Sequence, residues 1–220
     1  MNDDDTFASL IASRVQVPVL NLAVSSYGTV REILRIRMHP RFGDANCIVI
    51  QYNSNDFDEN KAFLAKGALP SATAERFQTL FSEPTRKVTF ADVILQTFEF
   101  MLYYPIDFLS DVFGWGYFHH NPLEGTPRES VEDVKVFLAV LAAFPDLNDK
   151  KIFVAGPDTF ISELVHENLP ANVFPLTASL NYADSYTLDM HPNKKGHQEI
   201  ASQILEDLRQ SEPGRRCLGE

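Results

Sequence analysis

The stretch Asp189-Met190-His191-Pro192-Asn193 concentrates more chemistry than any other part of the sequence. A carboxylate two residues before a histidine can receive one imidazole N–H and fix the tautomer. The other ring nitrogen is then free to act as a general base. The same pair also occurs on protein surfaces with no catalytic role. His197 lies beyond Gly196 on the helix that follows, where packing or capping is the plainer use of its ring. Asp189, His191 and His197 have the residue types of a metal site, but no further carboxylate or cysteine has supporting ligand spacing. A second candidate is Asn53-Ser54-Asn55-Asp56, at the end of an apolar run. A side-chain amide fixed there can donate to a developing oxyanion, a contribution of about 3 kcal/mol, although Asn, Ser and Asp are equally the residues of an ordinary turn. Third is Ser26 in Val24-Ser25-Ser26-Tyr27-Gly28. It resembles half of a G-x-S-x-G nucleophile elbow, with Val24 where the strained turn wants glycine. The backbone N–H groups of that turn, at a helix start, attract negative charge whatever the serine does.

These residues need elements to hold them. Thr6 can cap a helix running to about residue 15, with Phe7, Leu10, Ile11 and Val15 on one stripe. Residues 17–23, 47–52, 151–155 and 172–176 are short apolar runs of the kind buried on both faces of a parallel sheet. Helices are expected after Gly28, from Ser130 with the stripe Val134, Phe137, Leu138 and Leu141, from Thr159, and over 194–209 with Ile200, Ile204 and Leu208 inward. Strands alternating with helices predict an α/β fold: a three-layer, parallel sheet whose ligands sit beyond the carboxyl ends of the strands. Between residues 62 and 127 the alternation gives way to amphipathic segments rich in Phe and Tyr with Trp115. They read as a helical insertion or cap, or as a dimer surface. The expected organisation is one domain over 1–210 and a frayed tail over 211–220.

Composition narrows the partners. With 19 Lys+Arg against 30 Asp+Glu the net charge is -11, which disfavours nucleic acid and anionic membranes. The apolar region from 89 to 120 is broken by Asp92, Glu99, Pro105, Asp107 and Asp111, so it is not a membrane span. Met1-Asn2-Asp3-Asp4-Asp5 is acidic where a secretory leader is basic, so no signal peptide is expected. Cys47 and Cys217 are expected to be a buried small hydrophobe and a tail thiol, with no disulfide between them.

Three of these segments, in order, resemble the sequence blocks of the SGNH (GDSL-type) serine hydrolases, and the resemblance spans residues 3 to 209. Asn21 to Gly28 is similar to the second block, with Ser26 where a glycine lends its backbone N–H to the oxyanion hole. Gln51 to Asp56 resembles the third block, G-x-N-D, with Asn53 in the glycine position and Asn55 as the oxyanion-hole asparagine. Asp189-Met190-His191-Pro192-Asn193 with Gly196-His197 resembles the fifth block, one residue shorter between Asp and His than usual. The resemblance implies the SGNH hydrolase fold, a flavodoxin-like α/β/α sheet, and an ester hydrolase. In it His191 is the base, Asp189 orients it, and Ser26 and Asn55 form the oxyanion hole, with no cofactor and no metal. The implied substrate is a small-molecule or glycan ester. The first block, Gly-Asp-Ser, ends the first strand and supplies the nucleophile, and no segment matches it. The expectation is that this strand lies upstream of Met1 and that residues 1–220 lack both the serine and the strand. An inactive truncated fragment or pseudoenzyme that binds an ester or glycan, and an O-acyltransferase, are the alternatives.

Overall fold

The computed structural model describes residues 3–24, 27–53, 56–67, 69, 127–177 and 193–220. The chain divides into two compact units, 1–69 with 122–220 and 70–121. The second falls inside the expected insertion over 62–127, and whether it forms a cap lies outside the described residues.

In the first unit the described helices are α1 (Phe7–Arg14), α2 (Thr29–Met38), α3 (Asp56–Lys66), α4 (Pro127–Ala142), α5 (Asp158–His166), α6 (Lys194–Gln210) and α7 (Glu212–Leu218). The strands are β1 (Cys47–Gln51), β2 (Lys151–Ala155) and β3 (Val173–Pro175). They form a parallel sheet in the order β1-β2-β3, with Ile48 opposite Ile152 and Phe153 opposite Phe174.

The helices follow local rules. Thr6 caps α1 by accepting the Ser9 N–H, and Pro18 disfavours helical geometry at the residue before it. α2 stops at Met38 because His39 precedes Pro40 and is held extended. α4 begins at Pro127, three residues ahead of the expected Ser130 cap, because proline suits a first helical position, where no N–H is needed.

The sheet is covered on both sides. Alternation along β2 sends Ile152 and Val154 to one face and Phe153 and Ala155 to the other, and all four are buried. The first pair joins Ile48 and Ile50 of β1 against Val30 and Ile33 of α2, Val134, Phe137 and Val140 of α4, and Phe160 and Leu164 of α5. The second pair packs with Ile11 of α1, Ile200, Ile204 and Leu208 of α6, and Leu218 of α7. This is an α/β fold with a parallel sheet between helical layers.

Three expectations are corrected. The run over 17–23 is not a strand: residues 18–24 have no regular structure, and Leu20 is 46% exposed. Within it the Ala23 N–H donates to Asn21 Oδ1 at 3.2 Å, a local bond that competes with a sheet ladder. Nor is β1 buried on both faces, since Val49 is 40% exposed. The Lys151 N–H donates to the Asn46 carbonyl and the Tyr52 N–H to the Ala155 carbonyl, both at 2.8 Å. Even-numbered residues of β1 thus turn their backbone groups towards β2. Cys47, Val49 and Gln51 turn theirs to the opposite edge, where no strand pairs among the described residues.

The third correction concerns the C-terminus. Residues 212–218 form α7 rather than a frayed tail, and Cys217 is joined to Cys47 by a disulfide, with the Cα atoms 5.9 Å apart. Ser211 caps α7 by accepting the Gly214 N–H, and Gly219 closes it in the left-handed region at φ 77°. α7 packs so closely on α6 that a Cβ at Gly214 would lie 2.1 Å from the Leu208 carbonyl oxygen.

Candidate active site

Ser26, Asn55, Asp189 and His191, the four residues singled out for chemistry, all lie outside the described residues. Their flanks are described, and these show how the segments carrying them are anchored. The Tyr27 N–H donates to the Val24 carbonyl at 3.1 Å, tying the residues on either side of positions 25 and 26. The Asp56 N–H donates to the Asn53 carbonyl at 2.9 Å, tying the residues on either side of positions 54 and 55 in the same way. Each link is followed by a helix, α2 from Thr29 and α3 from Asp56.

The two helix starts are tied together. α2 begins after Gly28, which has no side chain to cap the first amides. Caps arrive instead from α3. The buried Thr29 hydroxyl donates to Asp56 Oδ2 at 2.9 Å, and the Val30 N–H donates to Asn60 Oδ1 at 3.3 Å. Asp56 and Asn60 are four residues apart, on one face of α3, so a single helix supplies both partners. Glu59, between them in sequence, pairs with Arg31 at 2.8 Å. A Cβ at Gly28 would lie 3.0 Å from Glu59 Oε1, so glycine permits this approach.

Carboxylates crowd this clasp. Burial, with Asp56 and Glu59 nearby, raises Glu32 to about 7. Burial also raises Asp56 to about 7, with Glu59 adding to the rise, while hydrogen bonds from Thr29 and Asn53 oppose it. Both groups therefore exchange protons near neutral pH.

Just after β1, Tyr52 stacks on Phe160 with ring centroids 3.9 Å apart and meets Phe137 edge-on at 5.6 Å. Burial first, then the charges of Asp133 and Asp56, push its phenol above the ordinary range, so it stays neutral. Gly156 allows α5 to start close by, since a Cβ there would lie 3.1 Å from the Phe160 ring.

The start of α6, just after the segment holding Asp189 and His191, is anchored separately. Asn193 caps it by accepting the Gly196 N–H at 3.0 Å. The Phe7 N–H, the first amide of α1, donates to His197 Nδ1 at 3.1 Å, and the two rings stack with centroids 5.9 Å apart. Lys194 pairs with Asp5 at 3.0 Å. His197 is thus a capping residue, one of the two uses expected of it. Burial lowers its pKa, with the Asp5 carboxylate opposing. An Nδ1 that accepts a hydrogen bond belongs to a neutral ring protonated at Nε2.

Sequence reasoning missed Thr29, Asn60 and the partner of His197. The one available signal was Asp56 and Asn60 at helical spacing beside a helix start that lacks a capping side chain. Comparison of the chain with family models, with curated proteins and with solved structures finds no match.

Proposed function

We propose that this chain carries the base, its orienting carboxylate and the oxyanion hole of an SGNH-type ester hydrolase. The nucleophilic serine is supplied from outside residues 1–220. In this reaction the serine attacks an ester carbonyl while His191 takes its proton and later returns it to the leaving alcohol. Asp189 orients His191 and stabilises the imidazolium, and the Ser26 N–H and the Asn55 amide hold the oxyanion. An oxyanion hole built from two turns works only if their separation is fixed to a fraction of an ångström.

The observation that carries the reading is the Thr29–Asp56 hydrogen bond of 2.9 Å. It joins, through buried side chains, the start of the helix three residues after Ser26 to the start of the helix next to Asn55. The sheet supports the place given to the nucleophile. Among the described residues no strand pairs with the backbone groups of Cys47, Val49 and Gln51 on the outer edge of β1. Val17 lies by Gly219, close in sequence to the Cys217 that is bonded to Cys47, and Thr29 reaches Asp56 beyond the far end of β1. A strand added at the outer edge of β1 would pair with its Cys47, Val49 and Gln51 backbone groups.

Hydrolysis of a short-chain nitrophenyl ester by residues 1–220, measured beside its His191→Ala variant, tests this assignment. The two rates are expected to coincide, because the serine is absent from both. Turnover by 1–220 clearly above that of the variant would overturn the assignment of the nucleophile.

A further inference from the structure

The hydrogen bond between Phe7 and His197 joins the two ends of the described chain, and capping alone does not require it to do so. α1 already has a local cap in Thr6, which takes the Ser9 N–H and leaves the Phe7 amide without a partner in its own helix. His197 supplies that partner from 190 residues away in sequence, at 3.1 Å, and its ring lies against the Phe7 ring at an interplanar angle of 17°. The ion pair from Lys194 to Asp5 runs between the same two segments. Residues 3–7 and 194–197 are therefore held by a hydrogen bond, a ring stack and an ion pair. His191 stands two residues before Asn193, the cap of α6.

We infer that His197 is a positioning residue. By accepting the Phe7 N–H at Nδ1 it fixes the start of α6, the helix that follows His191 in the sequence, against the start of α1. The functional half of this inference rests on the ester-hydrolase reading, in which the nucleophile strand leads into residues 3–7 and His191 must meet its serine. The hydrogen bond and the tautomer do not rest on it.

The link works in one protonation state. A second proton on the ring would convert Nδ1 from acceptor to donor and set it against the Phe7 N–H. The positive end of the α1 dipole also disfavours the imidazolium. Three elements pack near His197, and the charge beside it comes from the turn over Asp3–Asp5. The turn over Asp3–Asp5 brings the Asp5 carboxylate, already paired with Lys194. The first turn of α1 has no acidic residue. On α6 itself Lys195 and Glu199 pair with each other at 3.6 Å, two positions to either side of His197 and so turned away from it. α7 meets α6 at Leu208, eleven residues along the helix, or about 16 Å from His197. Acidification is thus expected to release α1 from α6 below pH 6.5, after Glu32 and Asp56 of the clasp have begun to take up their protons near 7.

Long-range proton–nitrogen spectra of the 220-residue chain labelled at histidine test the inference directly. The expected result is His197 protonated at Nε2 and bare at Nδ1, titrating below the ordinary 6.5, with the Phe7 amide resonance following the same midpoint. His197→Ala should speed exchange of the Phe7 amide by about tenfold and shift the titration of His191. His197→Asn, which places an acceptor near the Nδ1 position, should restore both. If the Ala variant does not fold, the Asn variant and the titration of the natural chain carry the same comparison. A proton on Nδ1, or a Phe7 amide indifferent to the state of His197, would overturn the link. A His191 titration identical in all three proteins would leave a helix cap and overturn the positioning role. Failure of the ester-hydrolase reading would show separately, in labelling of the serine nucleophile.

Discussion

Opening the Cys47–Cys217 bond should weaken this protein more than most single changes to its core. The bond joins residues 170 apart, and the chain has two cysteines in all. In the chain-entropy description, closing a loop of that length removes about 5 kcal/mol of freedom from the unfolded chain, with about 2 to 4 kcal/mol typical of measured cases. Native packing at the bond is otherwise dense. Leu218 is buried beside Phe153 and Leu176, and Gly214 abuts Leu208. α7 should therefore stay docked after reduction, and the loss should appear as global destabilisation. With a urea dependence of roughly 2 kcal/mol/M, a loss of about 3 kcal/mol moves the unfolding midpoint down by about 1.5 M. Paired urea melts with and without a phosphine reductant measure this. A variant carrying both Cys47→Ser and Cys217→Ser should match the reduced protein and ignore the reductant. Thiol titration of the unfolded, unreduced chain should find no free thiol. Coincident melts, or two titratable thiols, would refute the reasoning.

Two further predictions concern the clasp. Glu32 and Asp56 sit near 7 in the fold, against ordinary values of 4.5 and 3.8, so the folded chain holds protons that the unfolded chain has released. Their contribution to stability is complete below the ordinary values and is lost as pH rises through 7. His197 has the opposite sign. Its lowered value makes its contribution complete above 6.5 and lost as pH falls below that. Between about pH 6.5 and 8 the carboxyls alone should act: the urea midpoint should fall as pH rises, and Glu32→Gln should flatten that slope. A rising midpoint would contradict the burial of these groups. Thr29→Val keeps the shape of the side chain and removes the donor to Asp56. It should cost about 1 to 3 kcal/mol in the same melts, and an unchanged midpoint would mean that the clasp is not formed in solution.

The parts of the fold legible in the sequence were those that local pattern decides. β1, β2 and β3 were visible as apolar runs, and α6 as a stripe of Ile200, Ile204 and Leu208 within a residue of its observed end. What pattern could not reveal was pairing. Residues 17–23 are as apolar as β1, but a strand exists only where another strand accepts its ladder, and sequence does not say whether the partner is present. Disulfide formation between Cys47 and Cys217 depends on α7 folding back over α6, a tertiary event. α7 itself had readable signals: Ser211 as cap, Pro213 in the first turn and Gly219 beyond the end. Its charged composition suggested a tail because its buried contacts are few, Gly214 and Leu218. At the candidate site, Asn53 to Asp56 could be recognised as a strand-end group. The caps from Asp56 and Asn60 to α2, and from His197 to α1, could not, because they cross between helices.

The position of the nucleophile decides the ester-hydrolase reading. Fluorophosphonate labelling of the polypeptide expressed with its upstream in-frame sequence, followed by peptide mapping, locates it. The expected result is one labelled serine, within a Gly-Asp-Ser segment before Met1, with labelling abolished by His191→Ala. Label on Ser26 or any other serine of residues 1–220, or no labelled serine in the extended chain, would contradict it.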